Sequence, residues 1–429
     1  MNIVIFSNTF TPHVGGVARS VEAFTEAYRE RGHRVLVVAP EFANTPKNEI
    51  DVIRIPAIQN FNTSDFSVAL PIPTGLTDKL EAFQPDIVHA QHPFLLGMTA
   101  VRTARYFQLP LVFTHHTLYE QYTHYVPGDS PLLKRFVIEL ATHYANLTHQ
   151  VFAPSESIRA LLLERGVTTP IRVLPTGVKV EQFAQGDGAA FRKQHHIPAD
   201  SFVVGHLGRL AAEKNLEFLA RAVAEFIRSH RQAWFLVIGT GPAEAAIRGI
   251  FSQAGLEAQL LICGILPPRE LGDALSAMNL FAFASQSETQ GMVLTEAMAA
   301  GLPVVALDAT GVREVVRDQQ NGRLLQEQTI EAFSGALAWA HDLPAEQMEQ
   351  HIAAARETAE AFSMSRSADQ ALECFASLQQ ATAKHSHEAE RGWEQVMARI
   401  KAEWEIIGSV TRAGDGALSN PRATDEGNR

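Results

Sequence analysis

The sequence predicts an α/β protein built from two doubly wound domains in tandem. Short apolar runs rich in Val and Ile alternate with amphipathic helix-like segments, which is typical of buried parallel strands. The alternation restarts after an irregular join near residues 175–191, and a length of 429 residues suits two domains better than one. Ligands bind at the carboxyl ends of strands in such sheets, so we expect two domains facing across a cleft.

The predicted domains cover residues 1–178 and 179–360, with residues 361–380 expected to cross back onto the first domain. Strands of the first domain are predicted in the runs NIVIF, RVLVVAP, DIVHA, LPLVFTHH, QVFAP and IRVLPTG. Strands of the second are predicted in FVVGHLG, WFLVIGTG, LLICG, LFAFAS and PVVAL. Residues 381–429 are predicted to form a helical extension, with apolar side chains at helical spacing, followed by a polar, disordered tail.

The composition excludes several classes of protein. The net charge of −11 argues against nucleic acid as a partner, because phosphate backbones require a basic surface. Residues 1–180 carry equal numbers of basic and acidic side chains, so the negative net charge lies in the second half. If the protein contacts an anionic surface, we expect the first half to make that contact. Two cysteines form no disulfide framework, which indicates a reducing cytosol. Without a signal peptide or a run of ~20 apolar residues, we expect a protein that is soluble or lies on a membrane surface.

Two glutamates, Glu288 and Glu296, flank Gly291 in the segment SETQGMVLTEAMAAGLPVVAL. The glycine predicts a helix that begins near Met292, with Glu288 in the preceding loop and Glu296 in the second turn. The N–H groups of Met292 and Val293 would then suit a phosphate. Because carboxylates repel phosphate but accept hydrogen bonds from a vicinal diol, the pair favours a sugar nucleotide. The spacing alone also fits a solvated helix face.

The positive charge for a diphosphate is predicted in the segment GHLGRLAAEKN, which follows a strand of the second domain. Arg209 can bind a diphosphate through two parallel hydrogen bonds, and Lys214 can act as a mobile point charge. The alternative interpretation is a pair of surface charges beside the start of a helix.

In the first domain, the segment FTPHVGGVARS places Gly15 and Gly16 after the first strand, where backbone can approach a ligand. No G-x-G-x-x-G occurs there, so dinucleotide binding is poorly supported. His115 and His116 end the strand LPLVF, and their position favours contact with a sugar or an acceptor. Four candidate acceptor residues follow them: Tyr119, Tyr122, His124 and Tyr125.

The sequence also lacks several catalytic signatures. It contains no D-x-D carboxylate pair for a divalent metal, no His/Cys cluster at zinc-ligand spacing and no G-x-S-x-G nucleophile elbow. The predicted site therefore uses charge and helix dipoles, with no metal and no other cofactor.

A series of motifs occurs in order between residue 1 and about residue 380: TPHVGG, PDIVHAQHPFLLG, FTHHTLYEQYTHY, APSESIRALL, LPTGV, GRLAAEKNLEFL, GTGP and SETQGMVLTEAMAAGLPVVA. In these motifs the chain resembles the large family of retaining glycosyltransferases with the GT-B fold. Within that family, ETQG, PTGV and the Tyr-rich HTLYEQYTHY are similar to bacterial diacylglycerol glucosyltransferases. The resemblance implies a metal-independent retaining hexosyltransferase that uses a UDP-sugar.

The resemblance implies four catalytic residues: His116, Arg209, Lys214 and Glu288. Arg209 and Lys214 would bind the diphosphate and stabilise its charge as it leaves. Glu288 would contact the hydroxyls of the donor sugar near the anomeric carbon, and His116 would lie beside that sugar. The implied reaction is front-face displacement with retention, in which the leaving phosphate takes the acceptor proton.

The resemblance also implies eight donor-binding residues: Gly15, Gly16, Gly264, Ile265, Gly291, Met292, Val293 and Glu296. Gly16 and the N–H groups of Met292 and Val293 would lie at the diphosphate. Glu296 would bind the ribose hydroxyls, and the Gly264–Ile265 backbone would lie near the base.

The leading hypothesis is transfer of glucose from UDP-glucose to a lipid, diacylglycerol, on the cytoplasmic face of the cell membrane. The expected partners are a UDP-sugar and a lipid acceptor or membrane surface. The main alternative keeps the enzyme but takes a soluble sugar, polyol or small molecule as the acceptor. A sugar-nucleotide epimerase and an inactive nucleotide-sugar-binding protein are two further alternatives that share the architecture.

Overall fold

A computed structural model describes residues 1–13, 15–42, 44–58, 68–69, 75–121, 123, 130–286 and 288–385. Contacts divide the chain into two compact units. The first contains Met1–Thr176 together with the chain from Ser367 onward, and the second contains Gly177–Arg366.

The first unit is built on a parallel sheet. Its strands are β1 (Asn2–Phe6), β2 (Arg34–Pro40), β3 (Val52–Ile55), β6 (Ile87–Ala90), β7 (Leu111–Thr114), β8 (Gln150–Ala153) and β9 (Ile171–Val173), and a short antiparallel ladder joins β4 (Ala57–Ile58) to β5 (Val68–Ala69). The strand order in the seven-stranded sheet is β3-β2-β1-β6-β7-β8-β9. The helices between these strands are α1 (Gly16–Glu30), α2 (Leu76–Phe83), α3 (Leu96–Phe107), α4 (Pro131–Ala145) and α5 (Glu156–Glu164).

The second unit contains a six-stranded parallel sheet. Its strands are β10 (Val203–Leu207), β11 (Trp234–Ile238), β12 (Leu260–Ile262), β13 (Leu280–Phe283), β14 (Val304–Leu307) and β15 (Gly322–Leu325), in the order β12-β11-β10-β13-β14-β15. Its helices are α6 (Val180–Phe183), α7 (Gly188–Gln194), α8 (Leu216–Ser229), α9 (Glu244–Ala254), α10 (Pro268–Ser276), α11 (Met292–Ala299), α12 (Ile330–His341) and α13 (Ala345–Ala361).

The prediction of two doubly wound parallel-sheet domains is confirmed. Every run predicted as a strand contains one. In the central strands these Val- and Ile-rich runs are buried on both faces of the sheet. Strands β3 and β15, at one edge of each sheet, and the short strands β4 and β5 were not predicted, whereas the opposite edge strands β9 and β12 were. In β3 and β15 an arginine, Arg54 or Arg323, interrupts the short apolar run.

The last described helix, α14 (Met364–His385), packs on the first unit from Ser367 onward. Phe375 is fully buried in that unit, with its ring stacked on Phe152 and edge-on to Tyr28. The predicted extension over residues 381–429 lies outside the described residues beyond residue 385. No helix in the described ranges has both the length and the apolar character that a bilayer span requires.

Two glycines of the second unit provide a matched test of packing. Gly249 lies inside α9, where a Cβ atom would meet no atom within 4 Å in the described structure. Gly249→Ala is therefore expected to raise the free energy of unfolding by about 1 kcal/mol, since alanine is the better helix former. Gly239, after β11, has a φ of 136°, and a Cβ atom there would lie 1.9 Å from the carbonyl oxygen of Gly208.

Gly239→Ala is accordingly expected to lower the free energy of unfolding by at least about 2 kcal/mol, because the Cβ overlaps backbone. Urea denaturation of both variants, followed by circular dichroism, measures the two effects. A stability of Gly239→Ala equal to that of Gly249→Ala would contradict the close backbone packing.

Candidate active site

Backbone segments of three loops meet at the carboxyl ends of β10, β11 and β12. The N–H of Gly239 donates to the carbonyl oxygen of Gly264 at 2.8 Å, and Gly239 also packs against the carbonyl of Gly208. Gly264 has a φ of 70°, a left-handed conformation that favours glycine. The neighbouring Ile265 is 64% exposed. The predicted base-contacting pair, Gly264 and Ile265, therefore lies at the rim of this edge of the sheet.

Lys214 and Glu288 form an ion pair at the same edge. The Lys214 Nζ lies 2.5 Å from the Glu288 Oε1, and the side chains are 19% and 14% exposed. The pair joins two segments that the sequence analysis considered separately, the turn after β10 and the loop after β13. The pair therefore places an amine that can bind phosphate beside a carboxylate that can accept hydrogen bonds from hydroxyl groups.

Arg209 lies in the same turn and forms an ion pair with Glu213, four residues further along. Its side chain is 51% exposed, whereas that of Glu213 is 16% exposed. The turn is anchored to the end of β13, because the Asn215 side chain donates to the carbonyl oxygen of Ala284 at 3.2 Å. Asn215 has a φ of 55°, which permits the sharp change of direction into α8. The sequence analysis did not identify Glu213 or Asn215.

Helix α11 begins at Met292, as predicted, after Gly291 with a φ of 74°. The first N–H groups of a helix have no acceptor within it, so those of Met292 and Val293 form the positive end of the dipole. Glu296 lies in the second turn and is 3% exposed in a mostly apolar helix. Burying a carboxylate is costly unless polar groups contact it. A glutamate at position 296 therefore indicates that its side chain makes polar contacts.

Two residues that the sequence analysis missed support these loops. Gly311 has a φ of 77°, and a Cβ atom there would lie 2.7 Å from the backbone nitrogen of Gln290, so the turn after β14 packs directly on the loop before α11. His206 in β10 donates from its Nδ1 to the carbonyl oxygen of Ala282 at 3.1 Å. Burial and, to a smaller extent, the nearby charge of Lys214 lower the pKa of His206 to about 4, against the opposing effect of the hydrogen bond to Ala282.

The glycine pair of the first unit lies at the start of α1. Gly15 precedes the helix with an extended backbone (φ −171°), and Gly16 is its first residue. A Cβ atom on Gly16 would meet no atom of the described protein within 4 Å. Packing within the described protein therefore does not require glycine at position 16. A ligand that approaches the backbone closely would explain why glycine occurs there.

His116 follows β7 in the first unit and contacts the side chain of Gln91. The distance from the His116 Nε2 to the Gln91 Oε1 is 2.7 Å, so Nε2 carries the hydrogen and donates it to the amide oxygen. Burial lowers the pKa of His116 to about 4. The ring is therefore neutral at physiological pH and can form hydrogen bonds without carrying a positive charge.

Tyr119 and His115 pack edge to face, with ring centroids 5.6 Å apart. The Tyr119 hydroxyl and both ring nitrogens of His115 are buried without a hydrogen-bond partner among the described residues. Burial raises the pKa of the Tyr119 hydroxyl and lowers that of His115 to about 3. The other predicted acceptor residues lie outside the described ones: Tyr122, His124 and Tyr125.

An ion pair fixes the beginning of this Tyr-rich segment. The Arg165 guanidinium, just after α5, lies 2.6 Å from the Glu120 carboxylate, and the two side chains are 17% and 15% exposed. Glu120 belongs to a 3-10 turn over Tyr119–Gln121. The sequence analysis missed this contact, since the two residues are distant in sequence and each resembles an ordinary surface charge.

Replacing His115 by phenylalanine tests the effect of burying a neutral histidine. The unfolded chain binds a proton at this residue near pH 6.5, whereas the folded chain does so only near pH 3. Stability conferred by the neutral ring is therefore lost as the pH falls, by up to about 1.4 kcal/mol per pH unit. His115→Phe removes no hydrogen bond to a described residue, so we expect full stability at neutral pH and a smaller loss of stability on acidification.

Urea denaturation at a series of pH values between about 7 and 4 measures this slope. The exposed-histidine variant His196→Asn serves as the control and should keep the wild-type slope. An unchanged slope in His115→Phe would show that this ring titrates normally in the folded protein.

The second unit thus combines complementary groups at one edge of its sheet. Two cations and a helix start can stabilise a diphosphate, while two carboxylates can accept hydrogen bonds from neutral hydroxyls. In the described ranges, no cluster of three metal-ligating side chains includes any of these residues.

Two family models match consecutive parts of the chain. Residues 14–182 match the model for glycosyltransferase family 4, and residues 187–358 match that for glycosyl transferases group 1. The first match falls in the first unit almost entirely, and the second falls within the second unit.

Individual proteins show the same similarity. The chain is 28% identical to the alpha-monoglucosyldiacylglycerol synthase of Streptococcus pneumoniae, over 76% of this chain and 75% of that protein. It is also 28% identical to a GDP-mannose-dependent alpha-mannosyltransferase of Mycobacterium tuberculosis, over 76% of this chain and 84% of that protein. Its fold is similar to that of Anabaena HepE in complex with UDP-glucose, with a TM-score of 0.70 and 21% identity over 88% of this chain and 100% of that one. The two parallel-sheet units and the two matched models together establish that the chain belongs to the glycosyltransferases with the GT-B fold.

Proposed function

We propose that this glycosyltransferase moves glucose from UDP-glucose to diacylglycerol on the cytoplasmic surface of the membrane. The ion pair between Lys214 and Glu288 carries the proposal, because it places a diphosphate-binding cation beside a hydroxyl-binding carboxylate. Similarity to a monoglucosyldiacylglycerol synthase supports the lipid acceptor, and similarity to HepE with UDP-glucose supports the donor.

In the proposed complex, the second unit binds the nucleotide part of the donor. Arg209 and Lys214 contact the diphosphate together with the N–H groups at the start of α11. Glu296 accepts hydrogen bonds from the ribose hydroxyls. The exposed Gly264–Ile265 segment lies near the base.

The proposed reaction retains the configuration at the anomeric carbon and requires no metal ion. The acceptor oxygen bonds to the anomeric carbon on the face from which UDP departs, and the bond from that carbon to the phosphate oxygen breaks. The leaving phosphate oxygen takes the hydroxyl proton, so atoms and charge balance. Stabilisation of the departing diphosphate by Arg209 and Lys214 would supply several kcal/mol, about 3 for each well-placed donor.

His116 and Glu288 are proposed to position the donor sugar. His116 is neutral, so it would hydrogen-bond to a sugar hydroxyl without repelling the positive charge that develops at the anomeric carbon. Glu288 would bind sugar hydroxyls and, as an anion, would stabilise that developing charge. Tyr119 is proposed to lie on the acceptor side.

A transfer assay tests the proposal. The purified protein is incubated with radiolabelled UDP-glucose and diacylglycerol vesicles in the presence of a metal chelator. We expect label in the organic phase, and we expect an α-linked glucose in the nuclear magnetic resonance spectrum of the product. Label only in an aqueous product would favour the soluble-acceptor alternative, and a requirement for added metal would contradict the mechanism.

The similarity to the mannosyltransferase covers as much of this chain as the similarity to the glucosyldiacylglycerol synthase does. A second donor is therefore worth testing. Radiolabelled GDP-mannose is therefore used in a parallel reaction. Transfer from GDP-mannose without transfer from UDP-glucose would replace the proposed donor but keep the roles of the basic residues.

A further inference from the structure

A cluster of metal-ligating side chains lies in the second unit away from the groups assigned to the donor. His230 follows the end of α8, and His341 and Asp342 lie at the end of α12. One ligand atom from each residue lies within 4.8 Å of the others. The rings of His230 and His341 are close, with centroids 4.5 Å apart.

We propose that His230, His341 and Asp342 form a binding site for a divalent transition-metal ion such as Zn²⁺ or Ni²⁺. Imidazole nitrogens and a carboxylate suit these ions, whereas Mg²⁺ and Ca²⁺ prefer sites made of oxygen atoms alone. Three protein ligands are sufficient when water completes the coordination.

Hydrogen bonds orient both histidines for metal binding. The Nδ1 of His230 lies 3.0 Å from the carbonyl oxygen of Phe226, which can only accept, so Nδ1 carries the hydrogen. The Nδ1 of His341 lies 2.7 Å from the Asp342 Oδ1 and donates to that carboxylate in the same way. His230 therefore keeps the lone pair of its Nε2 for a metal. At His341, a metal that also binds Asp342 would take the place of the hydrogen between the ring Nδ1 and that carboxylate.

Packing holds the two rings in place. His230 stacks on Phe226 with centroids 4.4 Å apart, and His341 packs edge-on to Phe202 at 5.0 Å. The His341 side chain is 35% exposed and that of Asp342 is 69% exposed, so an ion can reach the cluster from solvent. Ligand atoms around a tetrahedral Zn²⁺ are roughly 3.3 Å apart for bonds of about 2.0 Å. Small rotations of exposed side chains suffice to reach that distance.

The topology separates this cluster from the donor-binding groups. Phe202 directly precedes β10, whereas Arg209 and Lys214 follow it. The cluster therefore lies at the amino-terminal edge of the sheet, and the donor groups lie at the carboxyl edge. A bound ion would link the ends of α8 and α12 without entering the transfer reaction. The sequence analysis did not identify the cluster, because its histidines are too far apart in sequence to form a ligand motif.

Calorimetric titration of the tag-free protein with Zn²⁺ or Ni²⁺ tests the proposal. We expect one saturable site, and binding at least tenfold weaker in His230→Gln and His341→Gln. His196→Asn, which removes an exposed histidine of the same unit, is the control and should bind as the wild type does. Absorption of the Co²⁺-loaded protein provides a second readout, since its visible bands report coordination by the protein and do not respond to stability.

Thermal unfolding in the absence of metal shows whether each glutamine variant is folded. Wild-type binding in both variants, equal weakening in His196→Asn, or no saturable binding up to millimolar Zn²⁺ and Ni²⁺ would overturn the proposal.

Discussion

Replacing Lys214 by alanine is expected to lower kcat/KM for the sugar nucleotide by about 10²- to 10³-fold, the usual effect of removing one charge-stabilising donor. The Lys214 Nζ is the cation that lies 2.5 Å from Glu288, and its side chain is only 19% exposed. Lys214→Arg should recover part of the activity, because it keeps the charge but changes the geometry of the donors. Steady-state kinetics with varied donor concentration measure the effect.

The same substitution leaves the Glu288 carboxylate without its cation, so a loss of stability has to be separated from a loss of catalysis. Adding Glu288→Gln to Lys214→Ala removes the uncompensated charge and should restore stability but not activity. Lys193→Ala, at an exposed lysine of the same unit, serves as the matched control. Activity of Lys214→Ala within threefold of wild type would contradict a role for Lys214 at the diphosphate.

Replacing Gly16 by alanine is expected to lower kcat/KM by at least tenfold while leaving the fold intact. A Cβ atom at this position meets no described protein atom within 4 Å, and alanine is a better helix former than glycine. A loss of activity would therefore come from the ligand that approaches the backbone at the start of α1. Donor kinetics and thermal unfolding, measured on the same preparation, separate the two effects.

Gly335→Ala is the matched control for this experiment, because Gly335 is also helical and its Cβ position is also open. We expect it to keep wild-type activity. Wild-type kinetics in Gly16→Ala would show that no substrate group lies near position 16.

The central strands of both sheets were predictable because continuous apolar runs such as NIVIF and WFLVI have no stable location other than a buried parallel strand. Two edge strands, β3 and β15, were not, because Arg54 and Arg323 interrupt their short apolar runs. The start of α11 was also predictable, since Gly291 supplies the left-handed residue that precedes the helix.

Local sequence patterns indicate candidate site residues, but they do not indicate the contacts between those residues. Sequence spacing identified Lys214 and Glu288 separately, and the fold was needed to place them 2.5 Å apart. The packing of Gly311 was not predicted for the same reason, because its close contact is with the backbone of Gln290, a residue of another loop. Long-range contacts of this kind follow from the order of strands in the sheet, which no local pattern encodes.

A crystal structure of the protein with bound UDP-glucose tests the central claim most directly. We expect the diphosphate against Arg209, Lys214 and the first N–H groups of α11, with the ribose hydroxyls on Glu296. A nucleotide bound elsewhere, or a diphosphate that contacts neither basic side chain, would contradict the account.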